Sequence, residues 1–259
     1  MTAIIHIKDL SIGYRLKYGN QKVIKTQITQ NLYAGEVTCL MGRNGAGKST
    51  LIRTLAGFQS PLSGEIMYEN IHINQLSKSE YALLIGVVLT DHTNAGGITV
   101  FELVSLGRHP HTGFFGSLKN KDKDIIWKSM EKAGIADKAT NYVSELSDGE
   151  RQKAMIAKTL AQECPVILLD EPTAFLDINS RIETMELLQE LAHKEGKSIL
   201  ISTHDIEAAI RMGDRFWLMH KEKPFISDCP QALITSGIFD DYFNLSAYKS
   251  WSGKNYISR

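Results

Sequence analysis

The stretch Gly42-Arg43-Asn44-Gly45-Ala46-Gly47-Lys48-Ser49-Thr50 decides the fold. It matches G-x-x-x-x-G-K-[ST], in which glycines allow successive backbone N–H groups to surround a phosphate. Residues 36–41, just before it, are largely apolar, as in a strand buried on both faces. Residues 48–56 have a helical pattern that ends near Gly57. A strand, a glycine loop and a helix in this order predict a phosphate-binding loop.

Two side chains of this loop carry specific chemistry. We expect Lys48 to reach the β- and γ-phosphates as a point charge, and the Ser49 hydroxyl to bind Mg²⁺. The N-terminus of the following helix adds partial positive charge. A chance match is disfavoured because the strand and the helix lie where a phosphate site needs them.

Composition excludes several classes of protein. The chain has 259 residues, and its 29 Lys and Arg equal its 29 Asp and Glu, so no net charge favours nucleic acid or an anionic membrane. Charge appears too early at the N-terminus for a signal peptide, and no run of about 18 apolar residues could span a bilayer. Scattered cysteines without CxxC spacing argue against disulfides and zinc, and favour a reducing compartment; they are Cys39, Cys164 and Cys229.

Strand patterns alternate with helical patterns along the chain, which predicts a mainly parallel sheet. The middle differs, because helical stretches at 100–106 and 125–132 flank a polar, glycine-rich connector at 113–123. This shift in composition indicates a helical subdomain inserted into an α/β core. The other predicted elements are strands at 4–7, 166–169 and 198–202 and an amphipathic helix at 180–195.

A second motif is Val166-Ile167-Leu168-Leu169-Asp170-Glu171-Pro172. A buried strand would bring its two acids to the edge of the sheet, near the glycine loop. We expect Asp170 to bind Mg²⁺ through water and Glu171 to orient and polarise the attacking water. Two adjacent acids after a strand also occur in plain turns, but the glycine loop favours the functional interpretation.

A third motif is Leu146-Ser147-Asp148-Gly149-Glu150-Arg151-Gln152, called here the signature segment. Ser147 and Glu150 have the S-x-x-E spacing of a capping box at a helix start. The Ser147 hydroxyl and the N–H of Gly149 could also form a second anion site. The two interpretations are compatible, because a helix N-terminus serves both purposes.

With these motifs in place, nearly the whole chain resembles the ABC transporter ATPases. The run LSDGE is similar to that family's LSGGQ signature. The resemblance implies that Ser147 and Gly149 of one copy contact the γ-phosphate on the glycine loop of another, so that a homodimer sandwiches two ATP molecules. Asp148 and Glu150 replace Gly and Gln, and we expect both side chains to point away from the phosphate.

The resemblance also implies the fold and the boundaries of its subdomains. It predicts a P-loop NTPase (RecA-like) α/β core with an N-terminal antiparallel β subdomain and an inserted α-helical subdomain. The chain would be a single ABC ATPase domain, 1–259. The core and β subdomain would cover 1–90 and 160–259, and the helical subdomain about 91–159.

Further site residues follow from the resemblance. Asp177 lies in the D-loop, which links the two sites, and His204 corresponds to the switch histidine at the γ-phosphate. Tyr14 corresponds to the aromatic residue that stacks on adenine, with Tyr18 as a rival. Lys48, Glu171 and His204 form the predicted catalytic group. The predicted ATP contacts are Tyr14, Gly42, Arg43, Asn44, Gly45, Ala46, Gly47, Lys48, Ser49, Thr50, Ser147, Gly149 and Asp177.

One position departs from the family pattern. The family has a Mg²⁺-binding glutamine after the strand at 85–90, whereas this chain has Thr90 there. Either Thr90 reaches the metal through water, or Asp91 or His92 takes the role. The predicted Mg²⁺ ligands are therefore Ser49 and Asp170, with Thr90 as a third candidate.

Residues 96–104 (GGITVFELV) and 107–111 (GRHPH) resemble the ATPases of importers for ferric siderophores, haem and cobalamin. This implies a permease dimer as a direct partner, a substrate-binding protein as an indirect one, no nucleic acid, and a peripheral place at the cytoplasmic face of the membrane. ATP and Mg²⁺ are the implied cofactors. His109 and His111 are not expected to bind metal, and Pro110 with its loop would shape the surface that receives the permease.

Four other classes are weighed against an importer. An ABC-type translation factor needs two such ATPase domains in one chain, and only one is present. A DNA-repair ATPase of the coiled-coil type needs a long heptad run between the glycine loop and the signature segment, and this run is missing. A small-molecule kinase lacks the signature and the switch histidine. An exporter with separate membrane chains remains open, and the segments around Gly97 and Arg108 are the argument against it.

Overall fold

The computed structural model describes residues 2–89, 97–113, 116–174 and 176–244. Within these ranges the strands form a four-stranded and a six-stranded sheet. The strands are β1 Ala3–Arg15, β2 Gln21–Tyr33, β3 Val37–Met41, β4 Ser63–Tyr68, β5 Ile71–His72, β6 Ile85–Val88, β7 Val166–Asp170, β8 Ser198–Thr203, β9 Arg215–Leu218 and β10 Ile226–Asp228. The helices are α1 Lys48–Leu55, α2 Lys78–Leu84, α3 Val100–Ser105, α4 Asn120–Lys132, α5 Asp148–Ala161, α6 Ile178–His193, α7 Ile206–Met212, α8 Pro230–Thr235 and α9 Ile238–Phe243.

The six-stranded sheet has the order β10-β9-β3-β8-β7-β6. All its described pairings are parallel except that of β10 with β9. Every residue of β3, β7 and β8 is buried, which explains why these strands are mostly apolar in the sequence. The carboxyl ends of these three strands therefore lie side by side at one edge of the sheet.

The smaller sheet has the order β2-β1-β4-β5 and is antiparallel. Its long strands β1 and β2 are interrupted by register shifts on either side of Leu10, near Asp9 and Gln27, which have φ of 47° and 57°. Ile12 and Ile28 of this sheet pack in one cluster with Leu51 of α1. The sheet thus lies against the helix that follows the glycine loop.

Helices α3, α4 and α5 pack around a third cluster, to which Val100, Ile126 and Ala157 contribute. Together the two sheets and this cluster confirm the predicted fold class. The predicted connector at 113–123 is wrong at its end, because α4 begins at Asn120. The polar first turn of this helix lacks the apolar periodicity on which the prediction relied.

Two smaller expectations can be compared with the structure. No helix among the described residues is long and apolar enough to cross a membrane. The three cysteines all lie in the described ranges and are unpaired. Burial raises the pKa of Cys39 to about 12 and that of Cys164 to about 11, so both thiols stay protonated and unreactive.

Candidate nucleotide-binding site

The glycine loop connects β3 to α1, as predicted. A Cβ atom at Gly42 would lie 2.2 Å from the Met219 carbonyl oxygen, so only glycine fits where the loop leaves the strand. Gly47 has φ of 110°, and a Cβ there would meet Ile24 at 2.4 Å. Gly47 also caps α1 without a side-chain hydrogen bond, which leaves the first N–H groups of the helix available to an anion.

Lys48 begins α1 and is almost fully buried, with 5 % of its surface exposed. Its Nζ donates to the Gly42 carbonyl at 2.9 Å and lies 3.6 Å from Glu171 Oε1. The first contact turns the lysine back over its own loop. The second joins the glycine loop to the acid that follows β7.

Glu171 lies between the lysine and a histidine. Its Oε2 is 3.2 Å from His204 Nδ1, while its Oε1 faces Lys48. The loops after β3, β7 and β8 therefore meet at one carboxylate. The structure brings together the three residues predicted as the catalytic group.

Ser202, at the end of β8, was missed by sequence reasoning. Its hydroxyl donates to Asp170 Oδ1 at 2.5 Å and accepts from the N–H of Glu171 at 2.9 Å. The Glu171 N–H also donates to the Ser202 carbonyl at 3.1 Å. One serine thus fixes both predicted acids, and its position beside β7 became visible only through the strand pairing.

A second missed residue is Lys221, in the turn after β9. Its Nζ lies 3.7 Å from the position that a Cβ would take at Gly45. A cavity of about 400 Å³ separates this turn from the glycine loop; Arg43, Asn44, Ala46, His220, Lys221 and Glu222 line it. No sequence pattern indicated that this turn would lie beside the phosphate loop.

The two tyrosines proposed for adenine differ in their surroundings. The Tyr14 hydroxyl lies 3.1 Å from Thr50 Oγ1, and 44 % of its surface is exposed. Tyr18 is 99 % exposed, in a short 3-10 turn with φ of 63°. The contact with α1 places the Tyr14 ring next to the phosphate loop, which favours Tyr14 for stacking.

We expect Tyr14→Ala to weaken ATP binding by about 1–3 kcal/mol, the usual loss when an aromatic ring that stacks on a base is removed. Tyr18→Ala should change it little. Tyr14→Phe keeps the ring but loses the contact with Thr50, so it separates stacking from the hydrogen bond. Calorimetric titration with ATP measures all three; a larger loss for Tyr18→Ala would make Tyr18 the adenine contact.

The signature segment begins α5, with Ser147 as its N-cap. Asp148 pairs with Arg151 at 2.8 Å. Glu150 Oε2 lies 2.9 Å from both the N and the Oγ of Ser147, so the capping box expected from the S-x-x-E spacing is present. A capping box requires the third helical residue to return to the N-cap, and these contacts lower the pKa of Glu150, chiefly through the Ser147 N–H. The orientation of Asp148 and Glu150 relative to a bound phosphate stays a prediction.

Gly149 lies close to the start of α6. A Cβ atom there would be 3.0 Å from Ser180 Oγ. Ser180 in turn donates to Asp177, the N-cap of α6, through its N–H at 3.0 Å and its hydroxyl at 2.8 Å. The signature segment and the predicted D-loop are therefore neighbours within one chain.

The GRHPH segment forms a 3-10 turn, Leu106–His111, against the end of α5. Arg108 is buried and donates to Asp122 at 3.0 Å and to Glu163 at 2.7 Å. His111 Nε2 lies 2.8 Å from the Gln162 carbonyl. No group of three His, Cys, Asp or Glu side chains arranged for a metal occurs in the described parts of the chain.

Several predicted positions cannot be compared with the structure. Thr90, Asp91, His92 and Gly96 lie outside the described residues, as does Phe175, two residues before Asp177 of the D-loop. The third Mg²⁺ ligand therefore stays a prediction.

A lysine from the glycine loop, an acid and a histidine meet at the carboxyl edge of a parallel sheet, which defines a P-loop nucleotide-hydrolysing protein. A family model described as ABC transporter matches residues 26–174, more than half of the chain. The chain therefore belongs to the ABC transporter family. This membership confirms the predicted activity, ATP hydrolysis coupled to transport.

Three known proteins show the range of similarity. The ferric enterobactin transport ATP-binding protein of Escherichia coli is 36 % identical over 92 % of this chain and 86 % of its own length. A structure described as an inward-facing ABC transporter, a candidate of the metal-chelate type, has a TM-score of 0.79 and 25 % identity, over 94 % of this chain and 90 % of that one. A dimeric bacterial ABC transporter cassette has a TM-score of 0.77 and 26 % identity, over 87 % and 98 %.

Proposed function

We propose that this chain powers the import of iron-siderophore complexes or related metal chelates, such as haem or cobalamin. Its similarity to a ferric enterobactin ATPase and to a metal-chelate type transporter supports this cargo class. In this role it works at the cytoplasmic face of the membrane, bound to a permease dimer that receives cargo from a substrate-binding protein. The single observation that carries the ATPase role is the meeting of Lys48, Glu171 and His204.

The residues suit Mg²⁺ as well as ATP. Mg²⁺ prefers few protein oxygens, with phosphates and water as its other ligands. Ser49 and Asp170 supply a hydroxyl and a carboxylate, and they are chain neighbours of Lys48 and Glu171, which are 3.6 Å apart. Bound there, the metal would neutralise developing phosphate charge. Thr90 remains a candidate for the third protein ligand.

In the proposed reaction, side chains of this protein position the phosphates of ATP and polarise the attacking water. Lys48 turns from the Gly42 carbonyl towards the phosphates, and Glu171 orients water and accepts its proton. His204, 3.2 Å from that carboxylate, keeps it directed and contacts the γ-phosphate. No covalent enzyme intermediate is needed, because positioning and charge stabilisation lower the barrier.

We further propose that two copies share each nucleotide. Leu146 of the signature segment packs in the helical cluster, whereas Ala46 of the glycine loop packs in the cluster beneath the smaller sheet. The two segments of one chain therefore belong to different hydrophobic clusters. In the proposed arrangement, Ser147 and Gly149 of one copy close over ATP on the other. The similarity to a dimeric cassette supports such a pair.

A cleft of about 1110 Å³ is the proposed permease contact. It lies between the end of α1 and the end of α5, and Phe58, Tyr81, Lys158 and Gln162 are among its lining residues. Gln162 Nε2 donates to the Ile85 carbonyl at 3.0 Å. The GRHPH turn contacts the same end of α5, so a helix in this cleft would act on α5 and its signature segment.

Phe58→Asp should weaken permease binding at least tenfold, because about 1.5–3 kcal/mol of apolar burial is lost with the ring. Phe58 is 64 % exposed, so its replacement should leave the fold intact. We expect lower transport in membranes and an unchanged ATPase rate of the isolated subunit. Ile210→Asp, at an exposed position on α7, is the matched control; equal losses for both variants would exclude the cleft as the contact.

The cargo is tested by uptake of labelled ferric siderophore, haem and cobalamin in a strain that lacks this chain. Uptake of one metal chelate should return with the wild type and stay absent with Glu171→Gln. If none of the three is affected by the deletion, the cargo assignment is wrong. Loss of an efflux activity would instead identify an exporter with separate membrane chains.

A further inference from the structure

The hydroxyl of Ser147 already has a partner in its own chain. It donates to Glu150 Oε2 at 2.9 Å and accepts from the Glu150 N–H at 3.3 Å. The Ser147 N–H donates to the same carboxylate oxygen at 2.9 Å. This oxygen therefore binds both donors that the serine offers.

A serine hydroxyl has one proton and can donate one hydrogen bond at a time. If the terminal phosphate of ATP accepts a hydrogen bond from the Ser147 hydroxyl, the hydroxyl must give up its hydrogen bond to Glu150. The carboxylate would then lie within about two hydrogen-bond lengths of the phosphate, where two negative charges repel each other.

We propose that Glu150 is a positioning residue that competes with the terminal phosphate of ATP for the hydroxyl proton of Ser147, and thereby sets the ATP concentration at which two copies close. This inference rests on the proposed function, because it needs the signature segment of one copy to cover the nucleotide of another. It assigns a role to the acid that replaces the family's glutamine.

The neighbours of Glu150 show how the competition is limited. Lys138 Nζ lies 3.3 Å from the other carboxylate oxygen, Oε1, and reduces the charge that the phosphate meets. Asp148, the second unusual acid, is paired with Arg151, whose guanidinium also donates to the Leu146 carbonyl at 3.0 Å. Glu150 rather than Asp148 is therefore the competitor.

The chain contains a matched control in α3, where Thr99 and Glu102 form the same box. Thr99 N and Oγ1 lie 2.7 and 2.9 Å from Glu102 Oε2, and the Glu102 N–H donates back at 3.2 Å. The proposal gives this box no phosphate to bind. Glu102→Gln thus reproduces the loss of a capping carboxylate without the competition.

The test uses the Glu171→Gln variant, in which ATP hydrolysis does not reopen the pair, and follows dimer formation by sedimentation as ATP is titrated. Adding Glu150→Gln should lower the ATP concentration for half-maximal dimer, because it removes the charge that repels the phosphate. The expected decrease is only about tenfold, because Glu150 is partly exposed and water screens its charge. Adding Glu102→Gln should leave that concentration unchanged. An unchanged or higher concentration for Glu150→Gln, or an equal shift for Glu102→Gln, would overturn the proposal.

Two further measurements separate competition from a general effect on the helix. In the presence of Ser147→Ala, Glu150→Gln should no longer shift the midpoint more than Glu102→Gln does. With Glu171 intact, Glu150→Gln should lower KM for ATP more than it changes kcat, and a change in kcat alone would contradict the proposal. If the Glu171→Gln variant shows no dimer at any ATP concentration, the proposed function itself fails, which is a different result from a dimer that ignores Glu150.

Discussion

Glu171→Gln should bind ATP but hydrolyse it about 10²–10³ times more slowly than the wild type. The amide keeps the size of the side chain and its place between Lys48 and His204, but it cannot accept a proton from water. Its neutral charge also releases Lys48 from the 3.6 Å ion pair, so ATP affinity should not fall. We therefore expect ATP to accumulate on the protein and the closed dimer to persist.

Single-turnover hydrolysis and sedimentation with ATP measure the two parts of this prediction. Glu183→Gln is the control, because Glu183 pairs with Lys153 at 2.6 Å and has an exposed side chain. It should hydrolyse ATP like the wild type. A wild-type rate for Glu171→Gln would show that another group accepts the proton.

Lys48→Ala should weaken ATP binding by about two orders of magnitude, because a charge-assisted bond to phosphate contributes roughly 1.5–3 kcal/mol and its loss leaves Glu171 uncompensated. The second cause follows from the structure, in which Lys48 Nζ is the cation at 3.6 Å from this carboxylate. Without it, the negative acid faces the phosphates directly.

The double variant Lys48→Ala/Glu171→Gln isolates the second cause. It should bind ATP more tightly than Lys48→Ala alone, by calorimetric titration, because the repelling charge is gone. Lys128→Ala, at an exposed position on α4, is the control for removing a lysine. Equal affinities for the single and double variants would mean that the ion pair has no influence on ATP binding.

The elements that could be predicted from the sequence are those in which local pattern and burial agree. Buried parallel strands such as β7 and β8 have an apolar centre, residues 166–169 and 199–201, so their positions and their polar ends were visible in the sequence. The glycine loop was predictable because its chemistry restricts residue type. These patterns located Lys48 and Glu171, and the resemblance to the ABC transporter ATPases added His204; the structure brings the three together.

What could not be predicted depends on contacts between distant parts of the chain. Ser202 has no motif of its own, and its bonds to Asp170 and Glu171 exist because β8 pairs with β7. Lys221 comes near Gly45 because β9 pairs with β3. The capping box of Ser147 and Glu150, by contrast, is a local contact, and the S-x-x-E spacing predicted it.

The backbone of Glu171 has a consequence for stability. Its φ of 48° lies in the left-handed region, which is unfavourable for a residue with a Cβ atom by roughly 1–2 kcal/mol. Glycine would adopt this conformation without strain, so selection for a stable fold alone would favour it there. This chain thus has its proposed general base at a position where glycine would be less strained, so Glu171→Gly should relieve the backbone strain while removing the carboxylate.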